Sequence, residues 1–142
     1  VTKADPEHDL AIIQLKDKRT PEGHHIFEVG EGDPLEDYTF KEKLIGKIKE
    51  DKNSRLFMTG FNLGPQLALT NEGIKSQFNS GAVSQRTADR IMYSIPALPG
   101  SSGSPVINLQ GQLVAINFAG INGTQGFNYG IRVKYLRQLL AS

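Results

Sequence analysis

The sequence predicts an all-β domain, a barrel or a sandwich, closed by one C-terminal helix. Three observations predict it. Short apolar runs rich in β-branched residues recur along the 142 residues, glycine-bearing turns separate them, and the tail switches to helical spacing. A chain of this length buries a core without staples. It has no cysteine, so disulfides, thiolate zinc sites and a cysteine nucleophile are excluded while the compartment stays open.

Leu10-Ala11-Ile12-Ile13-Gln14-Leu15 reads as a mostly buried strand. Lys16 to Gly32 is polar, punctuated by Pro21, Gly23, Gly30 and Gly32, and reads as a long loop or linker. Asp33-Pro34-Leu35-Glu36 has the order of a helix start, with Asp33 as N-cap, Pro34 at the first position and Gly46 as the stop. The stretch "KLIGKIK" within it suits a strand equally. Arg55 to Phe61 predicts a strand ending at a glycine turn, and Leu67 to Phe78 and Ile91 to Ile95 predict further short strands. Val106 to Asn108 and Gln112 to Phe118 predict a hairpin turning near Gln110-Gly111. Asn122-Gly123 marks another turn. From Val133 to Ala141, Val133, Leu136 and Leu140 fall at helical spacing, with Lys134, Arg137 and Gln138 left to face water.

The charge pattern excludes several classes of partner. Sixteen basic residues against fifteen acidic ones leave a net charge of +1, with no field to gather nucleic acid or anionic membrane. Lys41, Lys43, Lys47, Lys49 and Lys52 are interleaved with Glu42, Glu50 and Asp51, the pattern of a solvated face. The acidic cluster Glu31, Asp33, Glu36 and Asp37 lacks the alternation and glycine of a calcium loop. No apolar run reaches the length of a membrane span. Neither metal nor cofactor is expected, and neither nucleic acid nor membrane as a partner.

The residues with chemical promise lie in "PGSSGSPVINLQG", residues 99 to 111. A string of glycine, serine and proline before an apolar strand is commonly just a tight turn. It is also what a nucleophile loop requires. A serine hydroxyl must be held still, and backbone N–H groups must face the oxygen on which charge develops. Gly100 and Gly103 free the backbone on either side of Ser102, and Pro105 stiffens the exit. The pattern G-x-S-G-x-P arises by chance in about one of a few hundred chains of this composition. Asp9, at the mouth of "LAIIQL", is either a residue of the turn "DPEHD" or a carboxylate placed to orient an imidazole.

Taken together, these segments resemble the trypsin-like (chymotrypsin-fold) serine peptidases, in particular the HtrA-like and glutamyl endopeptidase branches. "ADPEHDLAIIQLK" looks like the segment that carries the family's catalytic aspartate, which puts that role on Asp9. "RLFMTGFNLG" is similar to the first long strand of the second barrel, with Phe61-Asn62 where proline is common. "LALTNEGIKSQF" resembles the strand that follows. "PGSSGSPVINLQGQLVAINFAG" matches the nucleophile loop and hairpin, which puts the nucleophile on Ser102 and the oxyanion donors on the N–H groups of Gly100 and Ser102. "FNYGIRVKYLRQLL" resembles the closing strand and terminal helix. The order is the family's along nearly the whole chain, with 93 positions between Asp9 and Ser102.

The resemblance implies a double β-barrel with a C-terminal helix. Residues 1–32 are then a remnant of the first barrel plus linker, and residues 33–142 the complete second barrel. It also implies that Asn117, Phe118, Ala119 and Gly120 form the edge strand that pairs with a peptide or protein substrate. Pro96 and Ala97 would lie at the base of the primary specificity pocket. From composition alone, Phe118 and Phe127 read as core residues. No acidic residue stands at that base, and Asn117 stands where glutamyl endopeptidases carry histidine, so cleavage after small or medium uncharged side chains is expected.

The family carries its histidine before the aspartate, and only eight residues precede Asp9 here. His8, His24 and His25 do not match its motif, and neighbours on a strand face opposite ways, which separates His8 from Asp9. The expectation is a serine endopeptidase whose histidine lies on an N-terminal part outside this chain. That part would be retained as a fragment, or the first strand would be completed by exchange with a second copy. The competing expectation is a catalytically inactive trypsin-fold module that binds peptides or proteins.

Overall fold

The computed structural model describes residues 1–19, 26–29, 55–60, 69–70, 73–74, 77–95, 100–120 and 128–142; at 69–70, 73–74, 77, 86, 119 and 120 it describes the backbone only. The helix expected from Asp33 to Gly46, His24, His25, Pro96, Ala97, the Asn122-Gly123 turn and Phe127 lie outside the described residues.

Six strands close into an antiparallel barrel: β3 (Arg55–Gly60), β6 (Gln77–Arg86), β7 (Arg90–Tyr93), β8 (Pro105–Ile107), β9 (Leu113–Gly120) and β10 (Asn128–Arg132). Their order around the barrel is β10-β7-β6-β3-β8-β9. Alternation sets which side chains fill it. Leu56 and Met58 on β3, Ile91 and Tyr93 on β7, and Val106 on β8 turn inward and join Val83, Ile95, Val114 and Ala115 in one core. Two short hairpins stand outside the barrel, β1 (Lys3–Asp5) with β2 (Leu10–Ile12), and β4 (Leu69–Thr70) with β5 (Gly73–Ile74). The helix α1 (Val133–Ala141) continues directly from β10. No helix among the described residues is long and apolar enough to cross a membrane.

The all-β architecture with a terminal helix agrees with the sequence reading, and three elements differ in detail. The first strand ends at Ile12 rather than Leu15, because its partner β1 is three residues long and the register stops at Lys3 opposite Ile12. Ile13 and Leu15 are consequently 77% and 55% exposed. The segment read as ending at Phe78 contains the β4–β5 hairpin and then β6, which runs on to Arg86. Among the described side chains of β6 only Val83 is a core residue, so its polar sequence carries little apolar signal, while β3 and β7 supply hydrogen-bonding neighbours on both sides. In α1 the buried pair is Val133 and Leu139; Leu140 is 48% exposed.

A second apolar cluster fixes the β1–β2 hairpin. Leu10, Ile131 and Leu139 are buried together, with Ile12, Ile116, Phe118, Tyr135 and Leu136 packed around them. Polar contacts reinforce the seat. The Lys3 ammonium donates to the carbonyls of Leu140 (3.1 Å) and Ser142 at the end of α1, where helix carbonyls lack partners and attract a cation. The His8 ring stacks on Tyr135 of α1 with centroids 3.8 Å apart. The hairpin's position is therefore set by the barrel and the helix together.

Candidate active site

Gly100 and Gly103 adopt φ of +88° and +85°, the left-handed region where a side chain is strained, and so the loop between β7 and β8 turns sharply on both sides of Ser102. Two backbone hydrogen bonds hold this loop to β9, and a third closes the loop on itself. The Gly103 N–H donates to the Asn117 carbonyl (2.7 Å), the Ser104 N–H to Ser101 (3.1 Å), and the Asn117 N–H to Ser104 (2.9 Å). Ser101 and Ser104 are buried beneath, while Ser102 remains exposed. Its Oγ donates to the Phe118 carbonyl at 2.7 Å. No hydrogen bond within the described residues engages the N–H of Gly100 or of Ser102.

Asn117 is buried and works on the loop from inside. Its amide donates to the Ser101 carbonyl (3.0 Å) and to the Ser101 hydroxyl (3.2 Å). Its Oδ1 accepts from the Tyr93 hydroxyl, which is wholly buried. Burial pushes the Tyr93 phenol well above its ordinary range, so it stays a donor. Gly130 makes room for that hydroxyl: a Cβ there would lie 3.0 Å from it and 2.7 Å from the Ile116 carbonyl oxygen. The sequence reading placed Asn117 against substrate. Its side chain is spent on Ser101 and Tyr93, so what it has to offer a substrate is backbone. No motif in the sequence marks Tyr93 or Ser101; the alternation in "RIMY" that turns Tyr93 inward is the one signal there.

Asp9 lies in the turn after β1, not on the strand, with φ of +53°. The position is that of the turn "DPEHD". Leu10 next to it is anchored in the second cluster, and Asp9 thereby lines the same cleft as Ser102. The cleft has a volume of about 250 Å³; Gly103, Asn117 and Phe118 also line it, with Leu10, Ile116 and Ile131 as the apolar part. Ala119 and Gly120 continue β9 beyond it, paired with Tyr129 and Asn128 of β10.

His8 is engaged elsewhere. Its Nδ1 is 2.7 Å from Oδ2 of Asp5, and its ring lies on Tyr135. The hydrogen bond from His8 holds the Asp5 carboxyl below its ordinary value. Separation of His8 from Asp9 thus arises from a different cause than strand alternation: His8 is claimed by Asp5 within the turn. Asp5, Glu7 and His8 have ligand atoms within 4.8 Å of one another, a grouping not read from the sequence.

The arrangement offers an exposed serine hydroxyl held by a backbone carbonyl, in a small cleft that Asp9 also lines. A family model described as the trypsin-like peptidase domain matches residues 1–116. No curated protein matches the chain. Among solved structures, the chain is similar to a Glu endopeptidase in complex with MPD (TM-score 0.50, 19% identity, covering 63% of this chain and 42% of that one). It is likewise similar to the HtrA-type protease AlgW with a decapeptide (TM-score 0.52, 20% identity, 63% of this chain and 28% of that one). The same protease with a tripeptide gives a TM-score of 0.50 at 20% identity, covering 63% and 31%. At these identities the likeness is one of fold. The chain spans less than half the length of each of these structures.

Proposed function

Since the chain belongs to the trypsin-like peptidase domain family, we propose that it carries the nucleophile side of a serine endopeptidase site. Ser102 attacks the peptide carbonyl, and the N–H groups of Gly100 and Ser102 receive the developing oxyanion. A histidine takes the serine proton, and Asp9 orients that histidine. The acyl-enzyme is then hydrolysed by water through the same base. The backbone of Asn117 to Gly120 pairs with the substrate as an added strand.

One observation carries this reading: Asp9 and Ser102, 93 positions apart, line one cleft. The base is a histidine from outside these 142 residues, because His8 is bound to Asp5 and none of the three histidines fits the family's motif. Residues 1–32 belong with a first barrel and residues 33–142 with the second, so that the site forms between them. Supply of that histidine by a retained N-terminal fragment or by a second copy fits the same scheme. On this account the 142 residues alone do not turn over peptides.

A second reading has its own support. Ser102 Oγ donates to a backbone carbonyl, a resting arrangement that needs no base, as in a trypsin-fold module that binds peptides without cleaving them. Hydrolysis of a fluorogenic peptide library by the gene's full-length product separates the two. Turnover lost in Ser102→Ala supports the peptidase, whereas peptide binding with no turnover in either form supports the binding module.

A further inference from the structure

A second cavity, of about 280 Å³, opens on the outer face of the barrel and is lined by Gln85, Thr87, Arg90, Met92 and Tyr129. It shares no lining residue with the Ser102 cleft. The strand register builds its floor. Gln85 on β6 and Tyr129 on β10 both stand opposite Met92 on β7, so the three side chains form one cross-strand row. Ile91 and Tyr93 turn into the core, which leaves Arg90 and Met92 to this face. Thr87 fixes the Arg90 backbone: its N–H donates to the Arg90 carbonyl (2.9 Å), and its Oγ1 accepts from the Arg90 N–H (3.1 Å). The guanidinium lies 5.3 Å from the centre of the Tyr129 ring, and that ring stacks on Phe118 with centroids 5.1 Å apart. Cation and platform are thus set in place together.

No acidic residue is among those that line the cavity. Asp89 approaches the Arg90 Nε at 3.9 Å, and the two side chains are 43% and 55% exposed, a pair that contributes little. Among the described residues no hydrogen bond engages the two terminal nitrogens of Arg90. That end of a guanidinium takes a carboxylate bidentately, while an aromatic ring and a thioether take a flat apolar body. The volume is at the small end of ligand pockets, with room for one ring and a short chain. Both edges of β7 are already paired, by β6 and β10, so an extended peptide finds no strand edge here.

We propose that this cavity binds a free small aromatic carboxylate, its carboxylate on Arg90 and its ring against Tyr129 and Met92. The site is independent of the peptidase reading.

The test is a titration, at neutral pH, of the full-length protein carrying methyl-labelled methionine with phenylacetate and with phenylacetamide, its uncharged counterpart. Met58, buried in the barrel core, is the internal control, and Met92→Leu assigns the other signal. The Met92 methyl is expected to shift saturably with phenylacetate, with a Kd of about 1 mM or tighter, while Met58 stays in place. The amide is expected to bind about tenfold more weakly. In Arg90→Gln phenylacetate should fall to the affinity of the amide, with an unmoved Met58 signal reporting an intact barrel. The peptide Ala-Ala-Phe with a free carboxylate should bind no tighter than phenylacetate. A Met92 methyl that does not move saturably, equal affinities for acid and amide, a preference for the acid that survives in Arg90→Gln, or tighter binding of Ala-Ala-Phe overturns the proposal. A shift of the Ile116 methyl in place of Met92 puts the ligand in the Ser102 cleft and overturns it as well.

Discussion

Asn117 holds both oxygens of Ser101, the carbonyl at 3.0 Å and the hydroxyl at 3.2 Å, from a strand sixteen residues further along the chain. Because Ser101 is buried and Ser102 is exposed, this contact lets a rigid interior fix an outward hydroxyl. Asn117→Leu strips partners from Ser101 and from Tyr93 and is expected to destabilise by about 2–4 kcal/mol. Tyr93→Phe removes only the far end of the chain and is expected to cost about 1–2 kcal/mol. Urea denaturation measures both. Equal effects, or none from Asn117→Leu, would show that the loop is held by its backbone bonds alone.

Two glycine-to-alanine substitutions separate sterics from backbone strain. At Gly130 the added carbon meets the Ile116 carbonyl oxygen at 2.7 Å and the Tyr93 hydroxyl at 3.0 Å. At Gly103 nothing lies within 4 Å, but φ is +85°. Gly130→Ala is expected to cost about 1–3 kcal/mol through overpacking, and to loosen the Tyr93–Asn117 bond. Gly103→Ala is expected to cost about 1–2 kcal/mol through strain, with the core intact. Amide exchange distinguishes them: faster exchange in β7, β9 and β10 for the first, confined to the Ser102 loop for the second.

Sequence made the barrel legible wherever apolar alternation or a turn signal survived. The β8–β9 hairpin and the helix fall close to their expected places because "VINLQGQLVAI" and "VKYLRQLL" carry both periodicity and punctuation. β6 was largely invisible, since a strand with neighbours on both edges is held by its ladder and needs only Val83 in the core. In the candidate site, Ser102 and Asp9 stood out through residue type and collinearity. Tyr93 and Ser101 did not, because what singles them out is contact with Asn117, distant from both in sequence.

Leu10 anchors the turn that carries Asp9. Leu10→Ala is expected to lose about 2–5 kcal/mol from the second cluster, with the barrel core unaffected. The measurement is hydrogen exchange. Protection should fall in residues 2–12 and in α1 while β3 and β7 keep theirs. A global loss of protection would mean that hairpin and barrel unfold as one unit.

Acid should release the same hairpin. Asp5 has its folded value lowered by His8, so its contribution is present above the ordinary value of 3.8 and is lost as pH falls through the lower folded value. The stacking of His8 on Tyr135 is expected to persist above the ordinary carboxyl value of 3.8 and to weaken as pH falls below it. Ring chemical shifts of His8 and Tyr135 followed from pH 6 to pH 2 report the change. In Asp5→Asn they should be insensitive over the acid range. A transition that remains in Asp5→Asn would assign it to another carboxylate.

The central claim is that Ser102 is a nucleophile activated through Asp9, and a fluorophosphonate probe tests it most directly. On the full-length product, mass mapping is expected to place a single adduct on Ser102. Ser102→Ala should abolish it, with folded stability unchanged within about 0.5 kcal/mol. Asp9→Asn should slow peptide turnover by about 10⁴-fold, the loss that serine-protease triads show on that substitution. An adduct that survives Ser102→Ala, or a full-length protein that stays unlabelled while binding peptides, would contradict the account.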